Sequence, residues 1–157
     1  MISFTAYGIP APKGSTKAFF RPGMRFPVVT DDCKRTRPWA AIVKDSAILA
    51  IASDMISFES GPVRVHVSFY LPKPKSAPKR TIPHVKKPDI DKLMRAILDA
   101  LKGVVWTDDS QVTSISATKD YAEGSAMPRA DIRIEQIGVE APRIENQLGL
   151  RSCGMGA

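Results

Sequence analysis

Two pairs of aspartates bracket one amphipathic segment: Asp89 and Asp91 stand at its start, and Asp108 and Asp109 follow just past its end. Carboxylates with no histidine or cysteine at ligand spacing suit a hard cation, Mg²⁺ or in its place Mn²⁺. Such an ion takes one or two carboxylates and completes its shell with water and substrate phosphate oxygens. It can polarise a phosphodiester, lower the pKa of a bound water and stabilise the leaving oxygen of an in-line displacement. The stretch before the first pair supplies the matching substrate class. Residues 72–88, PKPKSAPKRTIPHVKKP, carry Lys73, Lys75, Lys79, Arg80, Lys86 and Lys87 and no acidic residue. Bare carboxylates beside gripped phosphates would suffer like-charge repulsion at short range. A divalent cation between them reverses the sign. Acid cluster and basic arm together therefore point to metal-assisted phosphodiester hydrolysis.

Taken singly, these residues also have plainer readings. Asp89 can be an ordinary helix N-cap, and Asp108 with Asp109 can form a turn or cap the next element. Asp99 lies four residues after Arg95 and reads as a helix-supporting partner. Spacing alone leaves both the structural and the metal-binding readings open. His66 and His84 have no partner at ligand spacing and are expected at the surface. Trp106 could stack on a splayed base, but its setting between Val105 and the acidic turn favours the core. Lys13, Lys17 and Arg21 suit either a DNA backbone or solvent. The chain contains no glycine-rich phosphate loop, Ser-His-Asp set or zinc pattern.

The 157 residues fit one domain, with a net charge of +7 and a pI near 9.6. That balance suits a polyanionic partner. Cys33 and Cys153 are far apart and are expected as free thiols. No apolar run approaches membrane-spanning length, and the turn-rich N-terminus lacks the apolar centre of a secretory signal. A cytoplasmic protein is expected.

The elements that must hold the aspartates follow from periodicity. Residues 2–7 alternate as a first strand, the Gly8–Gly14 stretch is a loop, and a short strand is expected around 26–30. Pro38 opens a helix over 39–53. Val63, Val65, Val67, Phe69 and Leu71 alternate with Arg64, His66, Ser68 and Tyr70 as a half-buried strand. Prolines at 72, 74, 78, 83 and 88 exclude regular structure from the basic stretch, which reads as an extended arm. From Asp89 to Lys102, Ile90, Leu93, Met94, Ile97, Ala100 and Leu101 form a helical stripe, with Gly103 as its cap. A return after this helix is expected to bring Asp108 and Asp109 beside Asp89 and Asp91. Two further strands are expected over 112–119 and 130–137. The fold class is α+β, a small mixed sheet with two principal helices. Residues 1–138 form the domain, and 139–157 a tail with no clear periodicity.

The run KPDIDKL…DALKGVVWTDDSQV, within residues 87–112, resembles the signature of the RusA family of Holliday junction resolvases of bacteria and their phages. The likeness extends more weakly over the rest of the domain, including the Pro10-Ala11-Pro12-Lys13 turn after the first strand. It implies a symmetric homodimer that makes Mg²⁺-dependent paired nicks in four-way DNA. By this resemblance the catalytic, metal-binding aspartates are Asp89, Asp91 and Asp109, with Asp108 as a neighbouring ligand. Where the family has a lysine one turn after the second aspartate, this chain has Arg95, which can hold a phosphate oxygen but donates a proton poorly. Lys92 stands where the family often has asparagine. Lys13 and the cations of the basic arm are the expected DNA contacts. Two other functions fit the same residues: a DNA-binding module without catalysis, and a metal-dependent nuclease acting on flaps or other branches.

Overall fold

A computed structural model describes residues 1–14, 16–19, 22–23, 25–26, 28–31, 34–54, 58, 60–75, 83–124 and 126–138. Along the chain they form β1 (Ile2–Tyr7), β2 (Thr16–Phe19), β3 (Val28–Asp31), α1 (Thr36–Asp54), β4 (Val63–Leu71), α2 (Ile90–Leu101), a 3₁₀ turn (Asp109–Gln111), β5 (Val112–Tyr121) and β6 (Arg129–Gln136). Four strands make one sheet in the order β1-β6-β4-β5, and β2 pairs with β3 as a separate ribbon. β4 runs antiparallel to β6 and parallel to β5. A parallel pair cannot be closed by a tight turn and needs a long crossover, which the basic stretch and α2 supply. The mixed sheet with two helices is the expected α+β class.

The period of two along β4 is realised residue for residue. Val63, Val65, Val67, Phe69 and Leu71 are buried, while Arg64, His66, Ser68 and Tyr70 are half-buried on the other face. The buried row packs with Ile2 and Ala6 of β1, Ile132 and Ile134 of β6, Trp39, Val43 and Ala47 of α1, and Leu93, Ile97 and Leu101 of α2. Each fully buried Val, Leu, Ile or Phe among them contributes roughly 1.5–3 kcal/mol. Gly103, at φ +72°, turns the chain out of α2, a left-handed conformation that favours glycine. Trp106 is in the core, 2% exposed.

Three features differ from the sequence reading. β2 carries no period long enough to read, and only its pairing with β3 marks it as a strand. The strand expected at 26–30 lies at Val28–Asp31. His84, expected at the surface, is buried, its ring packed 4.4 Å from that of Tyr121. The described ends of the basic stretch contain no helix or strand. Cys33, Cys153, Arg21, Lys79, Arg80, the side chain of Lys17 and residues 139–157 lie outside the described residues.

Candidate active site

Asp89 and Asp91 sit where α2 begins. Asp89 is its N-cap by backbone, accepting from the Leu93 amide at 3.1 Å, but its side chain makes no capping hydrogen bond. An N-cap aspartate normally uses its carboxylate on the first-turn amides. Here the carboxylate stands half-exposed, with Lys92 Nζ 3.3 Å away. Asp91 is exposed in the first turn, where the helix dipole favours negative charge. The chain leading into Asp89 is held from the sheet: Lys119 Nζ on β5 donates to the carbonyls of Lys86 and Pro88, each at 2.9 Å.

Asp108 and Asp109 are held by a different set of partners. Asp108 accepts from the Ser110 amide at 3.0 Å, and Gln111 Oε1 accepts from the Asp108 amide at 3.1 Å, closing a capping box. Lys102 Nζ donates to Asp108 Oδ2 at 2.8 Å. That hydrogen bond, with the Ser110 amide, holds the Asp108 carboxyl well below the usual carboxylate range, and the same contact pushes Lys102 up. Asp109 is aimed by the core. Its Oδ1 accepts from Trp106 Nε1 at 3.0 Å, and its Oδ2 lies 4.0 Å from Lys102 Nζ, outside hydrogen-bond range.

Within the chain the two pairs stay apart, against the expected return. The reason is topological. β5 starts opposite Val63, the first residue of β4, and the two strands run parallel to Leu71 and Tyr121. Asp109 therefore lies near the start of both strands. Asp89 shares a hollow with Leu71 and Tyr121 at their far ends. α2 spans the gap with 12 residues, about 18 Å at 1.5 Å per residue. Among the described residues no three carboxylates, histidines or cysteines converge on a metal position. The donor chemistry fits a hard cation, but the chain brings only half of it to either end of the helix.

Between the two ends lies a shallow hollow where α2 meets β5. Asp91 and Arg95, one turn apart, share it with Ile90, Leu98, Ile115 and Ala117. Ile115 is 50% and Ile90 37% exposed. β5 is also an edge strand of the sheet.

The expected DNA contacts divide. Lys75, Lys86 and Lys87 are exposed, and Lys73 is half-buried. Lys13 pairs with Asp99 of α2, and its amide donates to the Lys92 carbonyl at 3.0 Å, so it fastens the N-terminal loop to the helix. Asp99, read as a helix-supporting partner of Arg95, pairs instead with Lys13. Sequence reasoning missed Lys102 and Lys119. A lysine at the end of α2 beside an acidic turn is a legible signal; a lysine in an alternating edge strand is not.

The family model described as Endodeoxyribonuclease RusA matches residues 11–135, which include both aspartate pairs. The chain is also similar to Uncharacterized protein YqaN of Bacillus subtilis (strain 168). The two are 30% identical over 146 residues, spanning 87% of this chain and 96% of that one.

Proposed function

The chain belongs to the RusA endodeoxyribonuclease family, and on that premise we propose that it is a divalent-metal-dependent endonuclease that cuts four-way DNA junctions by paired, symmetric nicks. The observation that carries this reading is the Asp89 carboxylate. It forgoes the capping bond its position offers and stands exposed at the end of a basic segment. A group kept out of its easiest structural role, beside cations suited to phosphate, is placed for a ligand.

Asp89 and Asp91 bind the cation from the start of α2, and Asp109 binds it from a second subunit. The support for a second subunit is twofold. The aspartates of one chain do not converge, and the α2–β5 face between them exposes Ile90 and Ile115. Two copies joined there about a two-fold axis perpendicular to α2 set their α2 helices antiparallel, so each helix start meets the other's end. One such dimer carries two identical sites, matching the symmetry of a four-way junction. Bound Mg²⁺, or Mn²⁺, would supply charge stabilisation at the scissile phosphate and acidify the attacking water. Arg95, one turn after Asp91, holds a phosphate oxygen. Trp106 fixes the rotamer of Asp109, and Lys119 fixes the approach to Asp89. Lys73, Lys75, Lys86 and Lys87, with Lys79 and Arg80, grip the flanking backbone. Asp108 contributes through Lys102 and the capping box.

The test is a panel of end-labelled four-way junction, flap and duplex, with and without Mg²⁺, against the parent protein and Asp89→Asn. The expected result is Mg²⁺-dependent paired nicking of the junction by the parent. The variant should not cut, and its junction binding should be intact or tighter because a repelling charge is gone. Equal cutting by both proteins would end the assignment. Binding without cutting by the parent would leave only a DNA-binding module.

A further inference from the structure

The end of the basic stretch helps to wall a hollow beside Asp89 that the cleavage reading does not use. Its volume is about 440 Å³, within the usual range of small-molecule sites. Its apolar lining includes Pro72, Pro74, Pro88, Leu71 and Tyr121. Four cations, Arg35, Lys86, Lys87 and Lys92, line it as well, against the single carboxylate of Asp89.

His84 is the odd member of this lining. It is only 8% exposed, yet its Nδ1 has no hydrogen-bond partner. Buried polar atoms are nearly always paired, so an orphan calls for an explanation. Burial pushes its pKa down and the Lys119 charge adds to this, while the polar backbone of His84 and Lys86 opposes it. The ring is therefore neutral near pH 7, able to donate from one nitrogen and accept at the other. Tyr121 holds it at a centroid distance of 4.4 Å with the planes tilted by 44°.

Apolar plates, an aromatic ring, one unmatched hydrogen-bonding nitrogen and a ring of cations describe the chemistry of a nucleotide. A peptide or lipid accounts for the apolar wall but not for four cations around it. A paired base cannot enter such a concavity, since its faces are stacked and its edge is occupied. An unpaired one can, and single-stranded nucleic acid is commonly held by stacking beside a basic track. We infer that this hollow is a nucleotide subsite, which takes the base of one unpaired nucleotide at the DNA branch while its flanking phosphates run past Lys86, Lys87 and Arg35 toward Asp89. The base packs against Tyr121 and the prolines, and its edge meets the His84 ring. Such a subsite would set which phosphate reaches Asp89, and so the position of the cut. The inference rests on the endonuclease reading above.

Ile9 lines the same hollow and is 47% exposed, so Ile9→Trp can plug it without disturbing the core. The probe is a four-way junction with one unpaired thymidine at the crossover, compared with the same junction carrying an abasic residue there. Binding is measured without divalent metal, so that nothing is cut. One stacked base is worth a factor of about 5 to 150 in affinity. The parent should bind the thymidine junction tighter by a factor in that range. Ile9→Trp should bind both junctions alike, with a thermal melt matching the parent's. His84→Phe, which keeps the ring on Tyr121 but removes the nitrogen, should retain part of the preference. With 2-aminopurine in place of the thymidine, the parent should change its emission on binding and Ile9→Trp should not. Equal binding of both junctions by the parent, or a preference that survives Ile9→Trp, overturns the subsite. If the parent still nicks junctions with Mg²⁺ in that case, the subsite alone falls. If it neither binds nor cuts any junction, the endonuclease reading falls with it.

Discussion

Trp106→Phe isolates the link between the core and Asp109. Phenylalanine keeps most of the buried ring but loses the indole N–H, 3.0 Å from Asp109 Oδ1. A hydrogen bond to a charged acceptor contributes roughly 1.5–3 kcal/mol when buried. The Asp109 side chain is 37% exposed, so solvent screening reduces this to about 1 kcal/mol. The smaller ring adds a packing loss of about 1–2 kcal/mol at a site with almost no exposure. The substitution should therefore destabilise by about 2–3 kcal/mol in total. The two contributions separate in a double-mutant cycle with Asp109→Ala, which removes the acceptor. Against Asp109→Ala, Trp106→Phe should cost only its packing part, leaving a coupling of about 1 kcal/mol. Urea unfolding of the four proteins gives this number directly. Junction cleavage by Trp106→Phe, measured under conditions where it is fully folded, should also fall, because Asp109 is no longer held in one rotamer. Additive unfolding energies, with a coupling below about 0.3 kcal/mol, would refute the claim that Trp106 positions Asp109.

Lys119→Met removes both hydrogen bonds to the Lys86 and Pro88 carbonyls. It should weaken junction binding and cutting together, with stability lowered by about 1–2 kcal/mol; parent-like junction affinity in a titration would contradict the pinning role. Asp108 is held below its ordinary carboxyl value of 3.8 by Lys102 and the Ser110 amide. Its contribution is therefore complete above that value and is lost as pH falls below it toward the folded pKa. Lys102 is raised by the same contact, so its contribution is complete below its unfolded pKa and is lost as pH rises through the folded one. Asp108→Asn should flatten the acid limb of a stability–pH curve and return Lys102 toward its ordinary value; an unchanged acid limb counts against the pair.

What was legible in the sequence follows the range of the interactions involved. The alternation from Val63 to Leu71 states which face of β4 is buried, because each side chain's direction is fixed by the one before it. The stripe from Ile90 to Leu101 with Gly103 behind it defines α2 to within a residue at each end. His84 was misread because a histidine among prolines and lysines carries no local sign of burial; Tyr121, 37 positions later, provides the ring it packs on. The placement of Asp109 was beyond reach for the same reason. Val112 could have returned antiparallel to the start of α2, and only its pairing with Val63 sends the acidic turn to the opposite end. The residue types therefore indicated the chemistry, while the distance between the residues depended on a strand pairing with no signature along the chain.

If aspartates from opposite ends of α2 meet across two subunits, as proposed, each site needs residues of both chains. The most direct measurement mixes two inactive proteins, Asp91→Asn and Asp109→Asn, co-refolded so that subunits exchange, and follows Mg²⁺-dependent nicking of a labelled four-way junction. In a mixed dimer one site carries both substitutions and the other carries neither. The mixture should therefore nick junctions on one strand, where each parent variant alone cuts nothing. A mixture as inert as its two components, in the presence of exchanged dimers and an active wild type, would place the aspartates of each site on a single chain and rule out a shared site.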